Sequence, residues 1–279
     1  MASGTTEERE LSARGWTVRR SVFTAGEVAG FRSAVSEAVA RAGKGPQITT
    51  ATGTEGSKVI SIADLLSFDG IAPVVVDPRI IDLATDLLGT TPRYFGDSGF
   101  LVGATGDRTW HRDNVDRDFD GPDWKDPYPV VRIGIYLQDH ARSSGGLSVA
   151  EGSHLTAENR GRGRFPDLGV GDVAAWSLRT RHGAEAVRLR LLPDLVLNPR
   201  LQSRVPRWAR VPVTEERMAL FVSFARPDPL LDRYLDYLGT REYFTDLVRV
   251  SDYSPATVDL IGSAGVELVG PARDLAAGV

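Results

Sequence analysis

The chain has no cysteine, only four histidines and two methionines among 279 residues. Without thiols there can be no disulfide framework, zinc–thiolate site, iron–sulfur cluster or cysteine nucleophile, so a strong metal site must be built from His, Asp and Glu. No apolar run approaches the roughly 20 residues a membrane span requires. The opening MASGTTEERE has no apolar signal core, which leads us to expect a soluble, cytoplasmic protein. Basic runs are also missing: 33 Lys and Arg stand against 37 Asp and Glu, a net charge of −4 that argues against a nucleic-acid surface. With 42% hydrophobic and 25% charged residues the composition is that of an ordinary folded protein, and its length suits one large domain.

Two periodicities divide the chain. Gly15-Trp16-Thr17-Val18 reads as a short strand. Thr24 with Glu27 three residues on forms a capping-box signal before Val28, Phe31, Val35 and Val39 at helical spacing, and this helix ends near Gly43. Gly43 to Gly56 shows no period and reads as a loop. A second helix starts at Asp77-Pro78 and stops at Gly89. From Arg93 onward short β-like runs take over, at 94–102, 130–137, 147–150, 172–178 and 218–224, a spacing that predicts a sandwich or barrel. In 130–137 the apolar Val131, Ile133, Ile135 and Leu137 share one face, and Arg132, Gly134 and Tyr136 share the other, which is free to line a pocket. Residues 188–213 fit neither period. They carry Arg188, Arg190, Arg200, Arg204, Arg207 and Arg210 against the single acid Asp194, and we read them as a lid insertion within one domain spanning 1–279. Leu230, Leu231, Tyr234, Leu235 and Leu238 return to helical spacing.

The residues with chemical potential are few. His111 and Asp113 stand at i and i+2, so on an extended strand both side chains project to one side. His182, just after the apolar run 173–178, is the candidate third ligand. Two imidazoles and one carboxylate on one face leave positions open, as in non-haem Fe(II) oxygenases. A His-x-Asp triplet alone also occurs in ordinary polar turns. His140 closes a strand as Gln138-Asp139-His140 and is expected at the solvent surface. His154 sits in a Gly-Ser-His turn, where its ring is expected to bond the loop. Trp110 and Trp176 read as core residues.

Ser144-Gly145-Gly146-Leu147-Ser148-Val149-Ala150-Glu151-Gly152-Ser153-His154 lies between the His-x-Asp triplet and the strand leading to His182. In that order the set resembles the phytanoyl-CoA dioxygenase family, whose corresponding stretch runs close to Gly-Pro-Leu-x-Val-x-Pro-Gly-Ser-His. The likeness extends through Leu11–Ala42 and Pro78–Leu101. It implies an all-β core with flanking helices, a double-stranded β-helix or jelly roll of the cupin kind. It further implies Fe(II) held by His111, Asp113 and His182, with 2-oxoglutarate and O2 as co-substrates. Such enzymes hold the distal carboxylate of 2-oxoglutarate with a cation, for which a guanidinium is well shaped. Arg217, heading the strand Met218–Phe224, is our assignment, although it follows the distal histidine later than the family arginine commonly does. Arg188 and Arg190 compete with it, and Arg132 and Ser223 are candidate further contacts. Asn114, Trp124, Tyr128 and Trp208 are candidate substrate contacts.

The resemblance is to oxygenases that tailor natural products, including those that join sugars through orthoesters. The related halogenases replace the carboxylate ligand, so Asp113 disfavours halogenation and leaves hydroxylation, ring closure or desaturation. Two substrate readings stand side by side. A basic 188–213 segment suits an anionic ligand. The acidic and aromatic stretch Asp113–Tyr128 suits a polyhydroxylated one, and we expect a polar small molecule. The rival readings are another metal-dependent cupin-type enzyme, which needs no Arg217, and a non-catalytic jelly-roll binding protein.

Overall fold

Amphipathic helices laid against one face of a large antiparallel sheet organise the chain. The structure is a computed structural model that describes residues 5–43, 45–113, 124 and 128–279. Helix α1 (Thr6–Arg14) leads into strand β1 (Trp16–Arg19) and helix α2 (Ala25–Ala42). The predicted capping box is present: Glu27 N donates to the Thr24 hydroxyl at 3.2 Å, and Thr24 N donates to the Glu27 carboxylate at 2.8 Å. After β2 (Ile48–Thr52), β3 (Ser57–Ser61) and the single turn α3 (Ala72–Val75) comes α4 (Pro78–Leu88), capped by Asp77 and closed by Gly89 at φ 69°. It buries Ile80, Leu83, Ala84, Leu87 and Leu88, and each large side chain contributes about 1.5–3 kcal/mol.

The β region comprises β4 (Arg93–Tyr94), β5 (Ser98–Gly103), β6 (Val130–Tyr136), β7 (Gly146–Glu151), β8 (Arg162–Arg164), β9 (Val173–Ser177) and β10 (His182–Ala186). The turn α5 (Pro199–Gln202) and β11 (Met218–Ala225) follow, and then α6 (Pro229–Gly239), α7 (Glu242–Val250), α8 (Pro255–Ser263), β12 (Glu267–Leu268) and α9 (Gly270–Ala277). The large sheet runs β1-β9-β6-β11-β5-β3-β2, and the small one β10-β7-β8. The segment at His111 joins the small sheet through a bridge to His182. From β5 on, the chain therefore alternates between sheets: β5 large, His111 small, β6 large, β7 and β8 small, β9 large, β10 small, β11 large. That winding is the double-stranded β-helix, an all-β core flanked by helices.

Strand pleating separates two environments. Val131, Ile133, Ile135 and Leu137 face the helices and join Val28, Ile80 and Leu83 in the main core. Tyr136, Trp176, Ala219, Leu147 and Val149 meet between the sheets. Gly134 is required there, because a Cβ would lie 2.9 Å from the Trp176 ring. Two sequence expectations are corrected. Residues 94–102 form two strands, since the chain turns at Gly96 (φ 88°). The stretch read as a loop to Gly56 contains β2, paired to β3 from Ile48↔Ser61 to Thr52↔Ser57. Its threonine-rich, half-exposed edge strand has no alternating apolar face to betray it.

Candidate metal centre

Backbone pairing brings the three candidate ligands together. His111 N donates to His182 O at 3.0 Å and His182 N to His111 O at 2.9 Å, so the two residues face each other across one rung, while Asp113 N donates to Leu178 O at 3.1 Å. The imidazole centroids are 4.4 Å apart. Asp113 Oδ1 lies 3.3 Å from His111 Nε2, and Oδ2 lies 3.5 Å from His182 Nε2. One donor atom from each of the three residues falls within 4.8 Å of the others. His182 Nδ1–H donates to Thr180 O at 3.0 Å, which fixes the tautomer and leaves Nε2 with its lone pair toward the cluster.

Electrostatics keep the cluster in the state a cation needs. Burial pulls His182 down to about 4, against the opposing pull of Asp113. Burial works to raise Asp113, but the neighbouring His182, Arg132 and His111 outweigh it and hold the carboxyl well below its usual range. At neutral pH the buried imidazole is uncharged and Asp113 is a carboxylate, the protonation states of metal ligands.

A cavity of about 150 Å3 adjoins the cluster and is walled by Tyr136, Trp176, Phe221 and Arg217. Arg217 heads β11 and is only 3% exposed. Its Nε, Nη1 and Nη2 find no protein hydrogen-bond partner among the described residues. The competing arginines are placed otherwise. Arg188 is buried but engaged, 2.5 Å from Asp167, bonded to Pro193 O and stacked on Phe165, and Arg190 is exposed.

Arg132 lines the same cavity, with Nη2 at 2.5 Å from Asp97 and Nε at 3.3 Å from Asp113. It braces the candidate carboxylate ligand. The Ser223 hydroxyl donates to Asp97 at 2.9 Å, on that side of the site and away from Arg217's cavity. Asp97 escaped sequence reading, since nothing in Gly96-Asp97-Ser98 marks it as more than a turn. Trp124 and Tyr128 line a different cavity of about 280 Å3 beside α1 and α4, where both rings lie under Arg179. Trp208 is 77% exposed on the 188–213 segment, and Asn114 lies outside the described residues, as do Asp116, Asp118, Asp120 and Asp123. No described residue of 188–213 lines the cavity at the cluster.

His140 is a correction, because it is buried and not solvent-exposed. The chain after β6 folds back, stacking the ring edge-on to Tyr136 at 5.3 Å and over Gly146, where a Cβ would meet it at 3.0 Å. Burial first, then the charges of Arg217 and Arg188, pull it down to about 3. The His154 Nε2–H donates to Ser12 O at 2.9 Å, a contact to α1. Trp176 is buried, but its ring also stands 5.1 Å from His182, and Trp110 is only half-buried.

No protein-family model and no curated protein matches the chain. Its fold matches solved structures. The non-heme alpha ketoglutarate dependent epimerase SnoN from nogalamycin biosynthesis superposes with a TM-score of 0.55 at 19% identity, over 79% of this chain and 84% of that one. The non-heme alpha ketoglutarate dependent carbocyclase SnoK from the same biosynthesis gives 0.53 at 20%, over 83% and 91%. EctD from S. alaskensis with bound Fe gives 0.54 at 17%, over 80% and 76%. The likeness is one of fold.

Proposed function

We propose that the protein is an Fe(II)- and 2-oxoglutarate-dependent oxygenase that hydroxylates or oxidatively cyclises a polar small molecule, a natural-product or sugar-containing intermediate. The observation that carries this reading is the pairing, in one cavity, of a His-Asp-His donor set with a buried guanidinium that no acceptor among the described residues engages. A buried, unpaired charge is expensive unless a ligand completes it. A dicarboxylate that reaches from the donor set to Arg217 supplies that counter-charge. A metal-dependent isomerase on the same fold has no use for the arginine. Solved enzymes of this fold support the assignment, among them SnoN crystallised with Fe3+, alpha ketoglutarate and nogalamycin RO.

The residues fit the cofactors. His111, Asp113 and His182 would hold the metal, and a three-ligand set would leave it room to take up 2-oxoglutarate and O2. Bound there, iron and 2-oxoglutarate supply O2 activation coupled to oxidative decarboxylation of the co-substrate to succinate. The protein's part is placement. Thr180 O orients His182, and Arg132 holds Asp113 in its ionised form. Arg217 would fix the far carboxylate, while Tyr136, Trp176 and Phe221 wall the cavity beside the candidate ligands. Anaerobic addition of Fe(II) and 2-oxoglutarate is expected to give a weak visible metal-to-ligand charge-transfer band. Its absence from folded, metal-loaded protein would overturn the proposal.

A further inference from the structure

A second and larger cavity, of about 450 Å3, shares the side chains of Leu101, Arg132 and Phe221 with the cavity at the metal centre, so the two spaces meet at a common wall. We infer that this larger space is the substrate chamber and that it takes an uncharged, hydroxylated ring compound. The inference rests on the oxygenase reading above and specifies its substrate class.

Size and position come first. A few hundred Å3 suits a molecule of one or two rings, and the shared wall puts its near edge beside the candidate ligands. Charge then selects the class. The acidic and basic side chains on the lining, among the described residues, are Asp97, Arg132 and Asp246. Asp97 is compensated by Arg132 at 2.5 Å, and Asp246 by Arg249 at 2.8 Å. An anionic ligand would face two carboxylates, and the one guanidinium lining the chamber among the described residues is already held between Asp97 and Asp113. A cationic ligand would meet Arg132 beside the metal site. An uncharged ligand meets neither obstacle.

Hydrogen-bonding capacity narrows it further. Asp97 Oδ2 accepts from Arg132 and Ser223, and Oδ1 carries no hydrogen bond among the described residues. Asp246 accepts from Arg249 through Oδ1, leaving Oδ2, and the half-exposed Tyr243 adds a hydroxyl at the rim. These groups are mainly acceptors, which is what the O–H donors of a polyol require, and O–H···O⁻ bonds are among the stronger kind. Ile60, Leu101 and Phe221 supply an apolar wall for the C–H face of a ring. The chamber thus reads hydroxyls on one side and hydrocarbon on the other. Its wall joins β3, β5 and β11 to α7, so specificity is set partly by the carboxy-terminal helices.

Saturation-transfer NMR on the Zn(II)- and 2-oxoglutarate-loaded protein tests this directly. The neutral probes are methyl β-glucopyranoside, myo-inositol and trans-1,2-cyclohexanediol, and the charged ones glucose 6-phosphate, glucuronate and glucosamine. At least one neutral probe is expected to give a signal that is lost in Ile60→Trp, which places a bulky ring in the chamber against its apolar wall. The signal is expected to weaken several-fold in Tyr243→Ala, a change at an exposed position that spares the fold. Signal from the charged probes alone, from no neutral probe, or from a neutral probe indifferent to both substitutions overturns the inference. The Fe(II)–2-oxoglutarate band of the unsubstituted protein separates the two layers of argument. With the band present and no neutral probe bound, the chamber assignment fails alone. With the band absent and a neutral probe bound and displaced by Ile60→Trp, the oxygenase reading fails and the chamber stands.

Discussion

Replacing Arg217 by Met is expected to raise stability in the absence of 2-oxoglutarate and to remove most of the stabilisation that 2-oxoglutarate gives. In the ligand-free protein the guanidinium is 3% exposed, and none of its three nitrogens reaches a protein acceptor among the described residues. A single buried unsatisfied polar group costs about 1–3 kcal/mol, and a charged one more. Water admitted to a cavity of about 150 Å3 takes up part of that load. We set the net relief on removing the charge at about 1–3 kcal/mol, since the methionine stem keeps most of the packing. For a chain of this size each kcal/mol is worth roughly 2 °C in Tm, so the ligand-free variant should melt about 2–6 °C above the parent. Truncating one partner of a buried charge pair costs about 2–5 kcal/mol in binding, which is roughly 30- to 5,000-fold in Kd for 2-oxoglutarate. At a concentration of 100 times the parent's Kd, the parent gains about 2.7 kcal/mol, or roughly 5 °C, and the variant about 0.9 kcal/mol or less, at most roughly 2 °C. Differential scanning fluorimetry of both proteins, with Zn(II) and with or without 2-oxoglutarate, should therefore show the variant's lead in melting temperature shrink by roughly 3–5 °C when 2-oxoglutarate is added. A ligand-free variant less stable than the parent would mean that Arg217 serves the fold, and an unchanged Kd would put the anchor elsewhere.

His111→Ala should abolish 2-oxoglutarate turnover, with metal affinity down by more than about 100-fold. Its far-UV circular dichroism should match the parent, because the side chain is half exposed and leaves no cavity; turnover that survives would exclude His111 as a ligand. His140 stays neutral in the folded state down to about pH 3, whereas in the unfolded chain it takes up a proton below about 6.5. Its contribution is thus present above pH 6.5 and lost as pH falls from there toward 3, about 2–3 kcal/mol by pH 4.5. Melting curves of His140→Gln should fall less steeply with acid than those of the parent, and parallel curves would refute the burial argument. Gly171 adopts φ +84°, and a Cβ there would lie 1.9 Å from Phe23 O. Gly171→Ala is expected to lose about 3 kcal/mol or more, read as a fall of several degrees in Tm, and a loss below the resolution of the melt would show that the turn relaxes freely.

Legibility followed periodicity. The α2 helix, with its capping box, and the two-faced strand β6 were written in local spacing, since burial on one side imposes a repeat. The convergence of His111, Asp113 and His182 followed from their order along a recognisable jelly-roll pattern. What local pattern did not carry was any property set by return of the chain. His140 sits in a polar-looking turn that only tertiary folding buries. Asp97 becomes a partner of Arg132 because β5 and β6 flank β11, a relation without trace in either segment. Tyr243 and Asp246 reach the larger cavity from α7, over 100 residues downstream of the His-x-Asp triplet, a separation that no local pattern spans.

The rung between His111 and His182 has an evolutionary corollary. Since both imidazoles hang from residues exchanging backbone hydrogen bonds, their separation is inherited from peptide geometry and owes nothing to loop sequence. The connections around them are therefore at liberty to diverge. Two descendants of one ancestor could reshape the space beside the cluster by rewriting α7, and still inherit the same His-Asp-His arrangement intact.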